Sequence, residues 1–149
     1  GVILTDILLI NGPNLNMLGT REPEIYGSDS LSDIENSLEV LAKDNGVTIN
    51  FMQSNAEHEI INKIQEAKKD SVKFILINPG PLTHTSIALR DTFLSTSIPF
   101  IEIHISNIFN REDFRKKSYL SDVSSGVIAG FGTNGYKHAF MQAINIIKR

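Results

Sequence analysis

Cysteine is absent from the 149 residues. That excludes disulfides and thiolate metal sites, and it leaves the redox compartment open. No apolar run approaches the ~20 residues of a membrane-spanning helix, and no signal peptide is visible, so a cytoplasmic home is expected. There is no long basic run, and the formal net charge is −3. Bulk binding to nucleic acid or to an anionic membrane is therefore disfavoured. Neither a Walker loop nor a G-x-S-x-G elbow occurs. Glu102-x-His104 is a close histidine–carboxylate pair with no third ligand at a recognisable spacing, so no metal site is expected.

What is present is ordinary for a globular chain: 41% hydrophobic and 21% charged residues, enough to bury a substantial core as one domain over 1–149. Asp6–Asn11 is a short, nearly continuous apolar run, the pattern of a strand buried on both faces. Ser32-x-x-Glu35 reads as a capping box. Ile34, Leu38, Leu41 and Ala42 then recur at helical spacing until Gly46 supplies a stop. Val47–Gln53 alternates, which predicts a half-exposed strand at a sheet edge. Ser54-x-x-Glu57 starts a second helix, with Ile60, Ile61, Ile64 and Ala67 inward. Val72–Asn78 is a third strand, broken by Pro79-Gly80-Pro81. A helix follows from Thr83 to about Ser95. Pro99–Ser106 is a fourth strand, residues 107–122 a polar connection with a short helix over Arg111–Lys117, and Gly126–Gly130 a fifth strand. Gly135–Lys148 closes the chain as an amphipathic helix.

Strands alternating with helices imply a parallel, doubly wound α/β sheet with right-handed crossovers. Five strands with an edge-like second one fit a flavodoxin-like three-layer sandwich of order 2-1-3-4-5. Ligands in such sheets bind beyond the carboxyl ends of the strands, where the order reverses. That places the site between strands one and three, at Asn11 to Asn14 and Asn78 to His84, with His104 to Asn107 next door.

Glu102, His104 and Ser106 are two apart and face one side of their strand. A carboxylate beside an imidazole favours the protonated ring and fixes its orientation, which suits a general acid with a supporting partner. Spacing alone also fits a satisfied charge pair at a strand end. His84 opens the helix after strand three, where anions are attracted, although a lone histidine there is more often a cap-region residue. His58 and His138 read as solvent residues.

Residues 11–27 form a loop too long and polar to be a mere turn. It divides into a strand-end cradle, Asn11–Asn16, and a lid, Gly19–Gly27, whose glycines are candidate hinges. The lid carries Arg21 and Tyr26. Tyrosine ionises near pH ~10 and is a poor base unless a nearby cation stabilises the phenolate; an arginine beside it supplies that shift. A loop tyrosine that only packs its ring is the plainer reading, and Tyr119 and Tyr136 are given that reading. Gly130-x-Gly132-x-x-Gly135 matches a dinucleotide fingerprint, but the acidic ribose partner about 20 residues on cannot exist so near the C-terminus. Those glycines instead permit a tight strand-to-helix turn.

Taken together, N-G-P-N-L-N-M-L-G-x-R-E-P-x-x-Y-G, N-P-G-x-x-T-H-T-S, E-x-H-x-S-N, R-E-x-F-R-K-x-S and G-F-G-x-x-G-Y make the chain resemble a type II 3-dehydroquinate dehydratase from about Ile7 to the last helix. The resemblance implies a lyase of the shikimate pathway. It dehydrates 3-dehydroquinate to 3-dehydroshikimate by anti elimination through an enolate, with no metal or cofactor. It further implies Tyr26 as the tyrosinate base, Arg21 as the group lowering its pKa, and Asn14 as the holder of a water at the enolate oxygen. His104, supported by Glu102, protonates the departing hydroxyl. Asn78 with Ile105 and Ser106 holds the substrate carboxylate, and His84 and Arg115 hold ring hydroxyls. Asp91 corresponds to an aspartate reaching a neighbouring subunit's site, in an assembly that is usually a dodecamer built from trimers. One departure is Pro81-Leu82, where many relatives have alanine and an aromatic. Proline restricts φ and removes an N–H, so the change bears on the pocket wall.

Two other classes are less well served. A flavin- or phosphate-binding module wants a Ser/Thr/Gly-rich cradle after strand one, where this chain has Pro13, Leu15, Met17 and Leu18. A phospho-receiver domain needs an aspartate ending strand three, and Asn78 stands there.

Overall fold

Apolar runs of four or five residues pair side by side into a five-stranded parallel sheet of order β2-β1-β3-β4-β5. The strands are β1 (Ile7–Asn11), β2 (Ile49–Gln53), β3 (Phe74–Asn78), β4 (Phe100–His104) and β5 (Gly126–Ala129). The computed structural model describes residues 4–20, 24 and 28–148. Every residue of β1, β3 and β4 is buried, whereas β2 and β5 are only partly so. Central strands covered on both faces need apolar side chains in both directions, and edge strands do not. The edge position expected for the second strand is therefore observed.

Four α-helices cover the sheet among the described residues: α1 (Leu31–Asp44), α2 (Glu57–Lys69), α3 (Ile87–Thr96) and α4 (Asn134–Ile147). Strand alternation divides the core in two. Ile7, Leu9, Phe74, Leu76, Ile101 and Ile103 pack with Leu38 of α1 and Phe140 of α4. Leu8, Ile10, Ile75, Ile77 and Phe100 pack with Ile60 and Ile64 of α2 and Leu89 and Phe93 of α3. The result is the three-layer α/β sandwich expected from the strand–helix alternation.

Several local expectations are corrected. The capping box of α1 is Ser30 with Asp33, two residues before the expected pair: Ser30 Oγ accepts from the Asp33 N–H at 3.2 Å, and Asp33 Oδ2 accepts from the Ser30 N–H at 3.0 Å. Ser54 does not cap α2, which begins at Glu57 behind Ala56. Its hydroxyl instead accepts from the Ala56 N–H and donates to Glu59. The helix expected from Thr83 is split into a 3-10 turn over Gly80–His84 and α3, whose N-cap is Ser86. The split follows from side-chain demands: Thr83 and His84 are bonded elsewhere in the site, and Ser86 Oγ accepts from the Leu89 N–H at 2.9 Å. The connection after β4 holds 3-10 turns, one over Asp113–Arg115, in place of a helix over Arg111–Lys117.

Candidate active site

β1 and β3 end on Asn11 and Asn78, which are register partners in the sheet. N-G-P follows the first strand and N-P-G the other, and the two segments pack backbone to backbone. The Gly12 N–H donates to the Asn78 carbonyl at 2.8 Å. A Cβ on Gly12 would lie 2.5 Å from the Pro79 carbonyl oxygen, and one on Gly80, at φ +57°, 2.9 Å from that of Pro13. Glycine is required at both places by space, and at Gly80 also by conformation. Residues after β2 secure the loop further. Gln53 Nε2 donates to the Gly12 carbonyl at 3.2 Å, and Asn55 Oδ1 accepts from the Asn14 N–H at 3.0 Å. Asn14 is thereby held in the left-handed region, φ 72°, at the rim of the site. Asparagine tolerates that region better than most residues.

Below these turns, on the α1/α4 face, Tyr136 is fully buried. Its hydroxyl donates to Asn11 Oδ1 at 2.6 Å and accepts from Asn78 Nδ2 at 2.9 Å. Burial pushes the phenol's pKa well above its ordinary value, so the group acts as a neutral hydroxyl. The plain ring-packing reading of Tyr136 is thus corrected: its hydroxyl joins two strand ends.

On the other face, Glu102 is wholly buried in the middle of β4. A buried carboxylate is costly unless hydrogen-bonded donors surround it. Glu102 Oε1 accepts from Ser121 Oγ at 2.7 Å, Oε2 accepts from Thr83 Oγ1 at 2.9 Å, and Ser118 Oγ lies 3.0 Å from Oε2. His104 Nε2 donates to Oε2 as well. Burial alone would raise the carboxyl's pKa, but the hydrogen bonds from His104, Ser121 and Thr83 outweigh it and hold the group ionised below its usual range. With Nε2 engaged by Glu102, Nδ1 is the nitrogen that His104 has left for a ligand.

His84 lies beside His104, ring centroids 6.4 Å apart. Its Nδ1 is 2.7 Å from the Lys117 carbonyl. A carbonyl only accepts, so that nitrogen carries the hydrogen and Nε2 is an acceptor. Burial, with the neighbouring His104 and Arg115 charges, lowers the pKa of His84 and favours the neutral ring. Connection 107–122 is pinned over these groups by Arg90, whose Nη1 donates to the Tyr119 carbonyl at 3.0 Å and whose guanidinium grips Asp122.

The cleft above has a volume of about 140 Å³. At roughly 10–15 Å³ for each enclosed water, that suits one small ring-bearing molecule. Its apolar side comes from Leu15, Met17, Leu18 and Ile108, and its polar side from Asn78, His84, His104 and Ser106. Arg111 and Arg115 add positive charge, and no acidic side chain is among the described lining residues. Arg115 is oriented by Glu112, its Nε donating to Oε2 at 2.9 Å, and Arg111 Nη1 lies 3.4 Å from Ser106 Oγ. Such a cleft attracts a small anion bearing hydroxyl groups.

Of the residues singled out from sequence, Asn14, Asn78, His84, His104, Ile105, Ser106 and Arg115 all line this cleft, with Glu102 directly behind His104. Asp91 does not: it is exposed on α3. Arg21 and Tyr26 lie outside the described residues. The turn built on Gly130 and Gly132, φ +92° and +62°, binds the end of β4, with the Gly130 N–H donating to the His104 carbonyl at 3.2 Å and that of Gly132 to the Ile105 carbonyl at 3.0 Å. Sequence reasoning placed Asn11 and Thr83 in the strand-end segments of the site without naming their partners, and gave no role to Ser118 or Ser121. Their signal is faint, since hydroxyls in a polar loop show no periodicity pointing to a distant glutamate.

The chain's residues 5–144 match the model of the family described as Dehydroquinase class II. It is 56% identical to the 3-dehydroquinate dehydratase of Methylococcus capsulatus, over 98% of this chain and 99% of that protein. It is 57% identical to the 3-dehydroquinate dehydratase of Francisella tularensis subsp. novicida, over 95% and 96%. The crystal structure of type II dehydroquinase from Butyrivibrio crossotus superposes with a TM-score of 0.91 at 44% identity, covering 95% of this chain and 98% of that one. With the fold, the cleft and the matched sequence in agreement, the chain belongs to the class II dehydroquinase family.

Proposed function

We propose that this chain is a hydro-lyase that converts 3-dehydroquinate to 3-dehydroshikimate. The observation that carries the reading is the buried Glu102–His104 pair opening into an arginine-lined cleft, on a chain whose relatives bear the name 3-dehydroquinate dehydratase. An elimination near neutral pH needs a base of lowered pKa and a separate protonated acid. His104 fits the acid. Its Nε2–H is committed to Glu102, so the imidazolium form presents Nδ1–H, and the carboxylate balances the ring's charge.

The proton alpha to the ketone passes to Tyr26, ionised beside Arg21, and an enolate forms. The carbon–oxygen bond to the leaving hydroxyl then breaks in an anti elimination. The His104 proton joins that hydroxyl to give water. Asn14 holds the water that stabilises the enolate oxygen. The substrate carboxylate rests on Asn78, the Ile105 and Ser106 backbone and the Ser106 hydroxyl. His84 accepts from a ring hydroxyl and Arg115 donates to another. The reaction needs no metal or cofactor. The working form is a cytoplasmic homododecamer, a tetramer of trimers in which Asp91 reaches a neighbour's site, and its role is biosynthetic. The lowered pKa of His84 supports its part as an acceptor, and the lack of an acidic side chain among the described lining residues supports the binding of a carboxylate.

The experiment is direct. Purified protein is mixed with 3-dehydroquinate and the ultraviolet absorbance of the conjugated enone product is followed. Absorbance rising in proportion to protein is expected, and a trace equal to the enzyme-free control overturns the proposal.

A further inference from the structure

The orientation of a side-chain amide is ambiguous from its shape alone, because oxygen and nitrogen occupy equivalent positions. For Asn78 one neighbour removes the ambiguity. The Gly80 N–H lies 3.2 Å from Oδ1, and a backbone N–H can only donate. The atom facing it must be the oxygen. Nδ2 therefore faces Tyr136, whose hydroxyl accepts from it at 2.9 Å. That hydroxyl must then send its own proton the other way, to Asn11 Oδ1 at 2.6 Å. A single direction runs through the whole chain: Asn78 amide, Tyr136 hydroxyl, Asn11 carbonyl. Its end bears a mark of this constraint. Asn11 Nδ2, the group left over, is buried without a partner among the described residues.

Such an orphan costs stability. What the arrangement secures is the polarity of Asn78, which borders the cleft. With Oδ1 turned to Gly80 and one N–H held by Tyr136, the second N–H remains for a ligand. Asn78 then meets the cleft as a donor, matched to an anion and mismatched to a ligand N–H. Phenylalanine at 136 would keep the ring's packing and remove the acceptor, so the amide would lose the bond that opposes rotation about its last torsion.

We propose that Tyr136 is a positioning residue for substrate binding: through Asn11 and Asn78 it fixes the Asn78 amide as a hydrogen-bond donor to the substrate's carboxylate. The proposal rests on the functional reading above and deepens it, since neither the fold nor the kinship of the chain assigns a role to this tyrosine. The carboxylate is borne by the carbon that sheds the hydroxyl, yet it keeps its charge and makes or breaks no bond, so its hydrogen bond is held alike in ground and transition states and the loss of that bond raises KM and spares kcat.

The test is a double-mutant cycle in the full chain. Tyr136→Phe is expected to raise KM for 3-dehydroquinate about tenfold, the equivalent of one hydrogen bond, with kcat within about twofold. In an Asn78→Ala background the same substitution is expected to change KM no further. A tyrosine that merely packed the core would add its effect in both backgrounds. If Tyr136→Phe does not fold, Tyr136→Phe with Asn11→Leu removes the orphaned partner as well, and the same rise in KM is expected. An unchanged KM in the folded variant, or an undiminished effect beside Asn78→Ala, overturns the positioning role. A wild-type chain with no turnover of 3-dehydroquinate overturns the functional reading itself, and the carboxylate assignment with it. Normal wild-type turnover with a normal KM in Tyr136→Phe overturns this inference alone.

Discussion

Glu102, on the α2/α3 face of the sheet, is held by three hydroxyl side chains and His104, whereas Tyr136, on the α1/α4 face, joins two neutral amides. Both clusters sit at the carboxyl ends of the central strands, and both are buried. They differ in what they must hold. A carboxylate out of water needs several donors converging on it, and the loop carrying Ser118 and Ser121 supplies two of them from outside the sheet. A neutral hydroxyl needs one donor and one acceptor, and strand ends suffice. Charge is the more demanding tenant, so the charged cluster recruits a distant loop, while the neutral one recruits only its own register partners and a helix start. On the proposed function the comparison also separates tasks, with the charged cluster assigned to proton transfer and the neutral one to orientation.

If that separation holds, the largest losses come from the proton-transfer side and appear in kcat. His104→Ala and Tyr26→Phe are each expected to lower kcat by about 10²–10⁴-fold, the usual contribution of a general acid or base. Binding of substrate, followed by quenching or calorimetry, should persist in both. A His104→Ala variant with near-normal kcat would move proton transfer away from the charged cluster and erase the contrast.

Glu102→Gln, next in size, tests the charge itself. It removes the anion and keeps the shape, so the hydroxyls around it lose a charged acceptor worth about 1.5–3 kcal/mol per bond. Chemical denaturation at pH 7 is expected to show a loss of about 2 kcal/mol. The sign with pH follows from linkage. The native carboxyl's pKa is depressed below its ordinary value of 4.5, so its stabilisation is present above about pH 4.5 and is lost as pH falls through the lower native value. The gap between wild type and Glu102→Gln should therefore narrow in acid. A gap that stays constant down to the acid-unfolding pH would show that Glu102 is not held ionised.

The neutral and charged clusters were also unequally legible. Strand order, the edge position of β2 and the pairing of Glu102 with His104 all followed from two-residue alternation and apolar runs, which are local patterns. So did the convergence of Asn14, Asn78 and His104, because strand order alone places strand ends together. Ser118 and Ser121 were not legible as Glu102's donors, since their approach depends on how a 16-residue polar connection closes over β4 and is pinned by Arg90. Tyr136 was misjudged for a related reason. An aromatic at the start of an amphipathic helix predicts burial correctly, but its hydroxyl's partners lie on two other strands. The split after β3 was missed because Thr83 and His84 have helical spacing and yet answer to Glu102 and Lys117. Short-range signals name the elements, while long-range polar demands decide where they stop.

Ser121→Ala probes how many donors the charge requires. One hydroxyl lost from a half-buried site is expected to cost about 1 kcal/mol and to raise the acid midpoint of unfolding, because a bond that lowers the Glu102 pKa has gone. An unshifted midpoint would mean that Thr83 and Ser118 saturate the carboxylate without it.

The smallest effect belongs to His84, which lies beside His104 at the rim of the charged cluster. Its ring is kept neutral chiefly by burial, and its pKa is lowered from 6.5. The unfolded chain therefore takes up a proton that the folded one refuses, and stability declines as pH falls from about 6.5 toward the native value. His84→Gln keeps polar groups at the position and removes this titration. Wild type should lose stability relative to His84→Gln over that window, and only slightly, because the ring is partly open to water and screened. The same protonation takes away the acceptor at Nε2 that a ring hydroxyl would use, so wild-type KM should rise over the same pH range. Parallel KM profiles for wild type and His84→Gln below pH 6.5 would place the hydroxyl on another partner, and His84 would then belong with the orienting groups rather than with the ligand's.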